Sequence, residues 1–590
     1  MINPYALSFI NLSLSIILGT ALIIYKYIYP KKQINLFFLL ILISLLPVWS
    51  IFRPGVYESG DLWVHITQSI SFYKSLTEGI LIPRWAGQLN ATFGFPAFMF
   101  IYSLPYYIIS LFHFIGFSFV TATKLLIALS FITSGIGMFI WIKGELNEKA
   151  AFIASIFYLF VPYHLVDMHF RSDIGEMLAF AILPINLYLA KKFIEKSSVK
   201  FFALQAIFFA ALIISHPAIA IAAPPLILAY MLFYWYRLKK RNIKQLINSF
   251  LSLAIGAMLS ASFWLPTISL IKFTQQADIT IVSFPRFLDF IFSPWRFGFL
   301  FQGHQGELSF ILGYTQILIL IYAVYLLFTN KFNSKHKPLI KLFLLLFAGY
   351  FFMMQSISAP LWHIIPFIRH FQFVYRLLLI VSIPTSVLAA ITLYKLKNNY
   401  LLILILAFTV FSTILNWGNR NVIPQINDST ILKNLSLSTA DGAGLGQAAP
   451  IWTNPNNTWE NKIPKYHLEI ISGQAEVKQI SRSTNYHEYA VAVIKNTTFR
   501  ENTLYFPGWN LYVNNKLNPI EVSKTNPKGT IEFKLKPGLY DLQLKFEDTF
   551  IIKQAKTITV TAFIFIIGIL FFNKLRYNSI ILIQKIRDTR

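Results

Sequence analysis

The sequence predicts a polytopic α-helical membrane protein of about 13 membrane-spanning helices, with a β-sandwich-like domain outside the cytoplasm before the last helix. Hydrophobic residues form 56% of the 590 residues and charged residues only 13%, whereas globular domains carry about 25% charged residues. Apolar segments of about 20 residues, the length that crosses a hydrocarbon core, recur along the chain. One long polar segment, 417–552, interrupts them.

The excess of basic residues is explained by the orientation of the protein in a lipid bilayer and does not indicate a nucleic-acid partner. Lys and Arg number 51 against 25 Asp and Glu, a net charge of +26, but the cations lie in short loops between apolar segments. Such loops face the cytoplasm. The chain has no cysteine, which excludes disulfides, thiolate metal sites and cysteine nucleophiles.

The first apolar segment lacks the basic start of a signal peptide, so we expect it to remain as a span. If the basic cluster Lys26–Lys32 is cytoplasmic, the N-terminus and the polar segment lie outside the cytoplasmic (inner) membrane and the C-terminus lies inside. The predicted spans are about 4–25, 36–52, 120–142, 149–164, 174–195, 200–215, 217–236, 245–265, 309–329, 340–354, 373–395, 400–416 and 555–573. The stretch 105–116 is too short to cross and is expected to lie along the outer surface.

Three domains follow from this assignment. Residues 1–416 form the transmembrane domain, in which 53–116 is the first outer loop with interfacial helices. Residues 417–552 form the outer β-rich domain, because runs such as 487–495, 530–536 and 539–546 alternate apolar and polar residues between Asn-Asn, Pro-Lys-Gly and Pro-Gly turns. Residues 553–590 form the final helix and a basic cytoplasmic tail.

The first outer loop holds the first pair of candidate catalytic residues. Asp61 and His65 are four residues apart and would share one face of a helix. Two interpretations of Asp61 stay open at this point. It is either a carboxylate that acts on a membrane-bound substrate or only the N-cap of the helix that follows, and the two are compatible.

A second concentration of ionisable residues lies between two spans. The stretch 162–176 contains two His, two Asp, one Arg and one Glu, and such groups near the apolar zone are costly enough to indicate function. Asp167 and Glu176 are its candidate catalytic residues. The alternative is a simple tie in which Arg171 pairs with Asp167, four residues earlier. His216-Pro217, at a span junction, is predicted to be a cap or kink rather than a ligand.

Several cations fall on the outer half, against the trend that places basic residues inside. They are Arg84, Lys124, Arg171, Arg369 and Arg376. As a set they are suited to bind the phosphate of a lipid-linked donor, because guanidinium groups offer paired donors. The alternative for any one of them is a side chain that reaches outward to lipid headgroups.

Several motifs of the chain resemble those of a bacterial membrane-protein family known as 6-pyruvoyl-tetrahydropterin synthase-related or YfhO-like proteins. The motifs are Gly60-Asp61-x3-His65, Ile82-Pro83-Arg84-Trp85, Phe93-Gly94-Phe95-Pro96, Leu104-Pro105-Tyr106-Tyr107, Pro162-Tyr163 with Asp167, Arg171 and Glu176, Ser358-Ala359-Pro360-Leu361-Trp362 with Pro366, Phe371-Gln372-Phe373 and Arg376, and Phe506-Pro507-Gly508-Trp509 with Pro537-Gly538. The chain departs from that family at Arg171-Ser172, where Arg-Gly is usual, and at Phe373-Val374-Tyr375-Arg376, where an aromatic-Pro-Trp-Arg is usual.

The family in turn resembles GT-C glycosyltransferases, which implies a GT-C-like fold and transfer of a sugar from a polyprenyl-phosphate donor on the outer face. The acceptor would be an envelope glycan, lipid or polymer. The resemblance places an active-site acid at Asp61 and a second acid at Asp167 or Glu176. The resemblance implies no definite cofactor, and Asp61 and Asp167 are the residues that could hold Mg²⁺ or Mn²⁺, since oxygen ligands suit both ions.

Two other functions remain open from the sequence. A transporter or flippase for a lipid-linked glycan would need charges deep in the spans and matching broken helices in two halves. A non-catalytic scaffold for envelope assembly would use the β-rich domain for binding. Transfer of a sugar is the favoured hypothesis.

Overall fold

The computed structural model describes residues 4–275, 284–292, 308–329, 336–365, 368, 371–418, 421–435, 448–453, 462–523 and 528–588. Arg369, one of the predicted outer cations, lies outside them. The helices are α1 (Pro4–Ile28), α2 (Leu36–Val48), α3 (Leu62–Thr77), α4 (Ala97–Phe100), α5 (Leu104–Phe114), α6 (Phe119–Glu145), α7 (Glu148–Leu159), α8 (Pro162–Val166), α9 (Ile174–Lys196), α10 (Val199–Ser215), α11 (Pro217–Arg237), α12 (Ile243–Leu259), α13 (Ala261–Leu270), α14 (Tyr314–Phe328), α15 (Lys337–Met353), α16 (Ala359–Ile364), α17 (Leu377–Leu393), α18 (Asn399–Phe411), α19 (Asp428–Asn434) and α20 (Phe550–Asp588).

Several helices have the length and apolar composition of membrane spans, which confirms a multi-pass protein. Seven helices of the described chain qualify, and ten when each of three bent helix pairs counts as one span. The bends are 52° after α7, 69° between α12 and α13, and 82° after α15. Four shorter apolar helices remain, so the count of 13 and the orientation stay predictions.

Three of the predicted basic loops lie together at one end of the bundle. Lys149 Nζ donates to the Leu396 carbonyl at 3.2 Å, and Lys191 Nζ donates to the Gly144 carbonyl at 3.0 Å. Lys191 also pairs with the buried carboxylate of Glu145 at 2.9 Å. These contacts join three basic loops, which is the arrangement expected when all three face one compartment.

The other end of the bundle carries the β-rich domain. The strands are β1 (Val56–Tyr57), β2 (Val422–Ile423), β3 (Leu468–Arg482), β4 (Tyr486–Leu504), β5 (Trp509–Val513), β6 (Lys516–Asn518), β7 (Glu521–Val522), β8 (Thr530–Leu535) and β9 (Gly538–Phe546). The strands β1 and β2 pair with each other, so the segment after the last predicted span of the transmembrane domain returns to the first loop. The helix α19 in the same segment caps α6, since Asp428 accepts from the backbone N–H groups of Phe119 and Val120.

The β-rich domain is confirmed, but its layers differ from those of a sandwich. The described strands β3–β9 form one antiparallel half-barrel sheet in the order β6-β5-β9-β4-β8-β7, with β3 on β4. The reason is the 19-residue strand β4, which pairs with β9 along its first half and with β8 along its second half. Because β4 pairs with other strands along both of its halves, the strands form one sheet instead of two.

The sheet is docked on the first loop. Thr484 N donates to Glu78 Oε2 at 2.8 Å, and Leu504 N donates to the Phe93 carbonyl at 3.1 Å. The buried ring of Trp85 lies edge-on to Trp509, with centroids 5.4 Å apart. The loop that was predicted to lie at the membrane surface is thus fixed between the bundle and the sheet.

Candidate active site

Asp61 occupies the position before α3 but does not cap it. Its side chain makes no capping hydrogen bond, and Ser59 Oγ accepts from Leu62 N instead. The backbone holds Asp61 in place, because Asp61 N donates to the Arg171 carbonyl and Gly60 N to the Phe170 carbonyl, both at 2.8 Å. The half-buried carboxylate of Asp61 therefore does not act as the N-cap of α3, which was one of the two interpretations from the sequence.

Arg171 is the centre of a buried charge cluster. Its Nη1 donates to Asp167 Oδ1 and Glu176 Oε2, both at 2.9 Å, and to Tyr163 Oη at 2.6 Å. Its Nη2 donates to Glu176 Oε1 at 3.0 Å and Asp173 Oδ2 at 3.3 Å. The cluster is more than the simple pair of Arg171 with Asp167 that the sequence offered as an alternative.

Arg376 reaches the same carboxylates from the start of α17. Its Nε lies 3.0 Å from Glu176 Oε1, and its Nη2 lies 4.0 Å from Asp173 Oδ2. The ring of Tyr375 lies 5.4 Å from the Arg171 guanidinium carbon. Tyr375 stands where the family usually has Trp, so an aromatic ring still packs against Arg171.

Asp173 joins this cluster to His65. Asp173 caps α9 by accepting from Gly175 N and Glu176 N, and it also accepts from Tyr102 Oη at 2.8 Å. The Tyr102 hydroxyl lies 3.4 Å from His65 Nε2. Burial lowers the pKa of His65 to about 4, so its imidazole is neutral.

The backbone between α8 and α9 brings these groups together. Residues Asp167–Arg171 form one π-helical turn, a feature that often marks functional sites. Ser172 then takes a left-handed conformation with φ +56°, the position where the family usually has glycine. Gly175 allows a close approach, since a Cβ there would lie 2.5 Å from the Ser215 carbonyl oxygen and 2.6 Å from the Tyr102 ring.

The charge balance of the cluster leaves Asp61 in a negative environment. Four carboxylates, those of Asp61, Asp167, Asp173 and Glu176, surround two guanidinium groups. Burial and then the negative charge of Asp173 raise the pKa of Asp61 to about 6, which the two arginines oppose only in part. A carboxylate with such a pKa can accept a proton near neutral pH.

The group of ligand-type side chains that converge in the described chain does not fit a divalent cation. Asp173, Glu176 and His216 are the group among the described residues whose ligand atoms all lie within 4.8 Å, and it does not include Asp61 or Asp167, the predicted ligands. His216 Nδ1 accepts from Ile219 N at 3.3 Å, whereas a histidine bound to a metal donates its second ring N–H.

The carboxylate oxygens of this group are also engaged already. Glu176 Oε1 and Asp173 Oδ2 face the guanidinium groups of Arg171 and Arg376, which would repel a metal ion. The prediction that His216 is a cap is confirmed by its bond to Ile219 N, although His216 Nε2 also lies 3.5 Å from Asp173 Oδ2.

Arg84 and Lys124 lie apart from the cluster. Lys124 Nζ donates to the carbonyls of Arg53, at 2.8 Å, and Gly55, at 2.5 Å, and so ties α6 to the first loop. Arg84 lies near the Ser262 carbonyl and Asp548. Of the eight predicted site residues that the structure describes, it therefore brings together six, namely Asp61, His65, Asp167, Arg171, Glu176 and Arg376.

Sequence reasoning missed Asp173 and Tyr102. Asp173 stood in the ionisable stretch but was not singled out, and its position directly before a predicted span was a signal for a helix cap. Tyr102 lies two residues before the Leu104-Pro105-Tyr106-Tyr107 motif and is buried against both His65 and Asp173. No spacing rule links residue 102 to residue 173.

Comparisons with known proteins give a family match and more distant likenesses. An uncharacterized protein of Lactococcus lactis subsp. cremoris (strain MG1363) is 25% identical over 253 residues, 41% of each chain. The arabinofuranosyltransferase AftD from Mycobacteria has a TM-score of 0.42 and 15% identity, over 66% of this chain and 27% of AftD. The apo oligosaccharyltransferase of Archaeoglobus fulgidus has a TM-score of 0.38 and 12% identity, over 68% of this chain and 55% of that enzyme.

The chain thus spans less than two thirds of the length of each of these proteins, and TM-scores this low carry no role over to it. The family match is more extensive. Residues 98–419, more than half of the chain, match the family described as 6-pyruvoyl-tetrahydropterin synthase related domain, membrane protein. The chain belongs to this family of membrane proteins, as its motifs indicated.

Proposed function

We propose that the chain is a membrane glycosyltransferase that takes a sugar from a polyprenyl-phosphate donor and transfers it to a hydroxyl of an envelope glycan, lipid or polymer. The observation that supports this proposal most directly is the environment of the Asp61 carboxylate. This carboxylate is half-buried, has no capping bond, and has a pKa raised to about 6 beside a largely buried cluster of charges. These are properties of a general base.

The reaction assigned to the site is an inverting displacement. Asp61 takes the proton of the acceptor hydroxyl, and the acceptor oxygen forms a bond to the anomeric carbon of the sugar. The bond between that carbon and the phosphate oxygen breaks, and its electron pair leaves with the polyprenyl phosphate. The phosphate gains negative charge in the transition state, so a preplaced cation lowers the barrier.

Arg376 is the cation better suited to that phosphate. Its side chain is 15% exposed, and only its Nε lies within 3.0 Å of a carboxylate. Arg171 uses both terminal nitrogens within the protein, so it acts as a positioning residue. Asp167 and Glu176 hold Arg171 in place, and Tyr102, which lies beside the neutral His65, donates to Asp173.

The acceptor would reach Asp61 beneath the sheet. The first loop, which begins after α2 and contains Asp61, is also the docking surface of the β-rich domain. We infer that the sheet guides the acceptor glycan and that this end of the bundle faces outward, with the basic loops in the cytoplasm.

A lipid-linked glycan flippase is the second candidate, and one observation favours it. Broken spans line the pathways of many transporters, and the described part of the chain has three bent helix pairs, one of which contains the π-helical turn that ends at Arg171. The mechanism of a flippase would move the lipid without breaking the sugar–phosphate bond.

The deciding experiment measures sugar transfer in proteoliposomes from a panel of radiolabelled polyprenyl-phosphate sugars. We expect the wild type to transfer label to a chloroform-insoluble or modified lipid product and Asp61→Asn to lose about a hundredfold or more in rate, as is typical for loss of a general base. Glu58→Gln, which removes an exposed carboxylate three residues earlier, is the matched control. Movement of intact donor across the bilayer without transfer would support the flippase and contradict the transferase.

A further inference from the structure

Arg84 is a buried cation with weak partners. Its side chain is 6% exposed, yet both terminal nitrogens lie 3.4 Å from one acceptor, the Ser262 carbonyl oxygen. Its Nε has no hydrogen-bond partner and lies 3.9 Å from Asp548 Oδ1. Burial lowers the pKa of Arg84, and the distant Asp548 offsets this only in part. A guanidinium has five donors, so this group retains unused capacity.

Three parts of the chain converge on Arg84. Ser262 is in α13, and its N–H donates to Thr559 Oγ1 of α20 at 2.9 Å. Asp548 lies two residues before α20 and pairs with Lys556 in the second turn of that helix. Two cations therefore share one carboxylate, which leaves a net positive charge at the junction of the first loop, α13 and α20.

Exposed apolar side chains flank this charged junction. Leu81 is 77% exposed three residues before Arg84, Ile268 is 64% exposed on α13, and Phe550 is 74% exposed at the start of α20. In a protein that spans a membrane, exposed apolar residues of this size face lipid acyl chains. The cations thus lie where a lipid headgroup would lie, near the start of the candidate span Phe550–Leu575 and beside the break between α12 and α13.

We propose that Arg84 and Lys556 form a binding site for the phosphate group of a lipid, with Asp548 as the carboxylate that the phosphate displaces. A phosphate oxygen matches the paired donors of a guanidinium and the point charge of an ammonium group. This site is separate from the cluster around Arg171, because no contact of Arg84 or Lys556 in the described chain reaches that cluster. It does not depend on the proposed transferase, since binding is measured without any reaction.

The test is lipid binding to the full chain in detergent, measured by native mass spectrometry with phosphatidylglycerol, undecaprenyl phosphate or diacylglycerol added. We expect both phosphate lipids to bind and diacylglycerol to bind at least tenfold more weakly. Arg84→Gln and Lys556→Gln should each weaken phosphate-lipid binding about tenfold, the usual effect of losing a charge-assisted contact. Lys553→Gln is the matched control, because it removes an exposed cation of the same helix and should leave binding unchanged.

Asp548→Asn separates a phosphate site from a structural ion pair. If phosphate displaces the carboxylate, this variant should bind phosphate lipids several-fold more tightly than the wild type. Weaker binding by Asp548→Asn, or equal binding of diacylglycerol and the phosphate lipids, would overturn the proposal even where Arg84→Gln fails to fold. Competition between the two phosphate lipids identifies the source: displacement of phosphatidylglycerol by undecaprenyl phosphate at equal concentration assigns the site to the polyprenyl lipid, and the reverse assigns it to the bulk phospholipid.

Discussion

The guanidinium of Arg171 and the carboxylate of Glu176 form a two-pronged ion pair, with Nη1 2.9 Å from Oε2 and Nη2 3.0 Å from Oε1. Both side chains are buried, so neither charge can turn to water if its partner is lost. Asp61 is joined to the same arginine through the Arg171 carbonyl. The position of the proposed base therefore depends on the integrity of this pair.

Replacing Arg171 should unfold the site. Arg171→Gln would leave the carboxylates of Asp167, Asp173 and Glu176 buried without their main cation, at a cost of about 3–5 kcal/mol. We expect a large fall in the thermal unfolding midpoint of the purified protein in detergent. Arg241→Gln, which removes an exposed arginine of a basic loop, is the control. Equal midpoints for the two variants would contradict the role of Arg171.

Glu176 and Asp167 should differ in their effect on stability. Both oxygens of Glu176 accept from Arg171, whereas Asp167 accepts through Oδ1 and its buried Oδ2 has no hydrogen-bond partner. Glu176→Gln should therefore cost about 2–3 kcal/mol and Asp167→Asn less, because charged hydrogen bonds are worth about 1.5–3 kcal/mol each. Denaturant titration of both variants measures the difference, and the reverse order would argue against the bond pattern.

Because Gly175 lies so close to its neighbours, replacing it with alanine should strongly lower the stability of the protein. Gly175→Ala would press a Cβ against the Ser215 carbonyl and the Tyr102 ring, which should cost about 3 kcal/mol or more and separate Tyr102 from Asp173. Gly349→Ala is the control, since a Cβ in the middle of α15 meets nothing within 4 Å. That variant should gain about 0.5–1 kcal/mol. Size-exclusion profiles and unfolding midpoints report both effects, and a well-folded Gly175→Ala would refute the packing.

The left-handed residue after the π-helical turn explains one departure from the family. Ser172 has φ +56° and donates from Oγ to Tyr57 Oη at 3.1 Å. Ser172→Gly should relieve about 1–2 kcal/mol of strain but lose a bond worth about 1 kcal/mol, so its stability should stay close to that of the wild type. Ser172→Val should be clearly less stable, because a β-branched residue tolerates this conformation poorly. Equal stability of the two variants would contradict this account.

Much of the fold could be predicted because its signals are local. The alternating runs 487–495 and 539–546 fall within β4 and β9, the run 530–536 extends one residue beyond β8, and the apolar segments form helices. The single sheet could not be predicted, because the pairing of β4 with β3, β8 and β9 is set by contacts between distant parts of the chain.

The site was predictable only where its residues are neighbours in sequence. The stretch 162–176 supplied Asp167, Arg171 and Glu176, and the first loop supplied Asp61 and His65. The two stretches are linked by the contacts of Tyr102 with His65 and Asp173, and the spacing of these residues in the sequence does not predict those contacts. For the same reason Arg84 and Lys124 could not be separated from Arg376 before the structure placed them at different junctions.

The pH dependence of transfer is the most direct measurement of the central claim, that Asp61 is the base. Because the pKa of Asp61 is raised to about 6 and the ionised form accepts the proton, the rate should rise about tenfold per pH unit below that value and level off above it. Asp61→Asn should lose both the rate and this profile, while Glu58→Gln should keep both. A wild-type rate that stays flat from pH 5 to about pH 7, or a profile that persists in Asp61→Asn, would contradict the account.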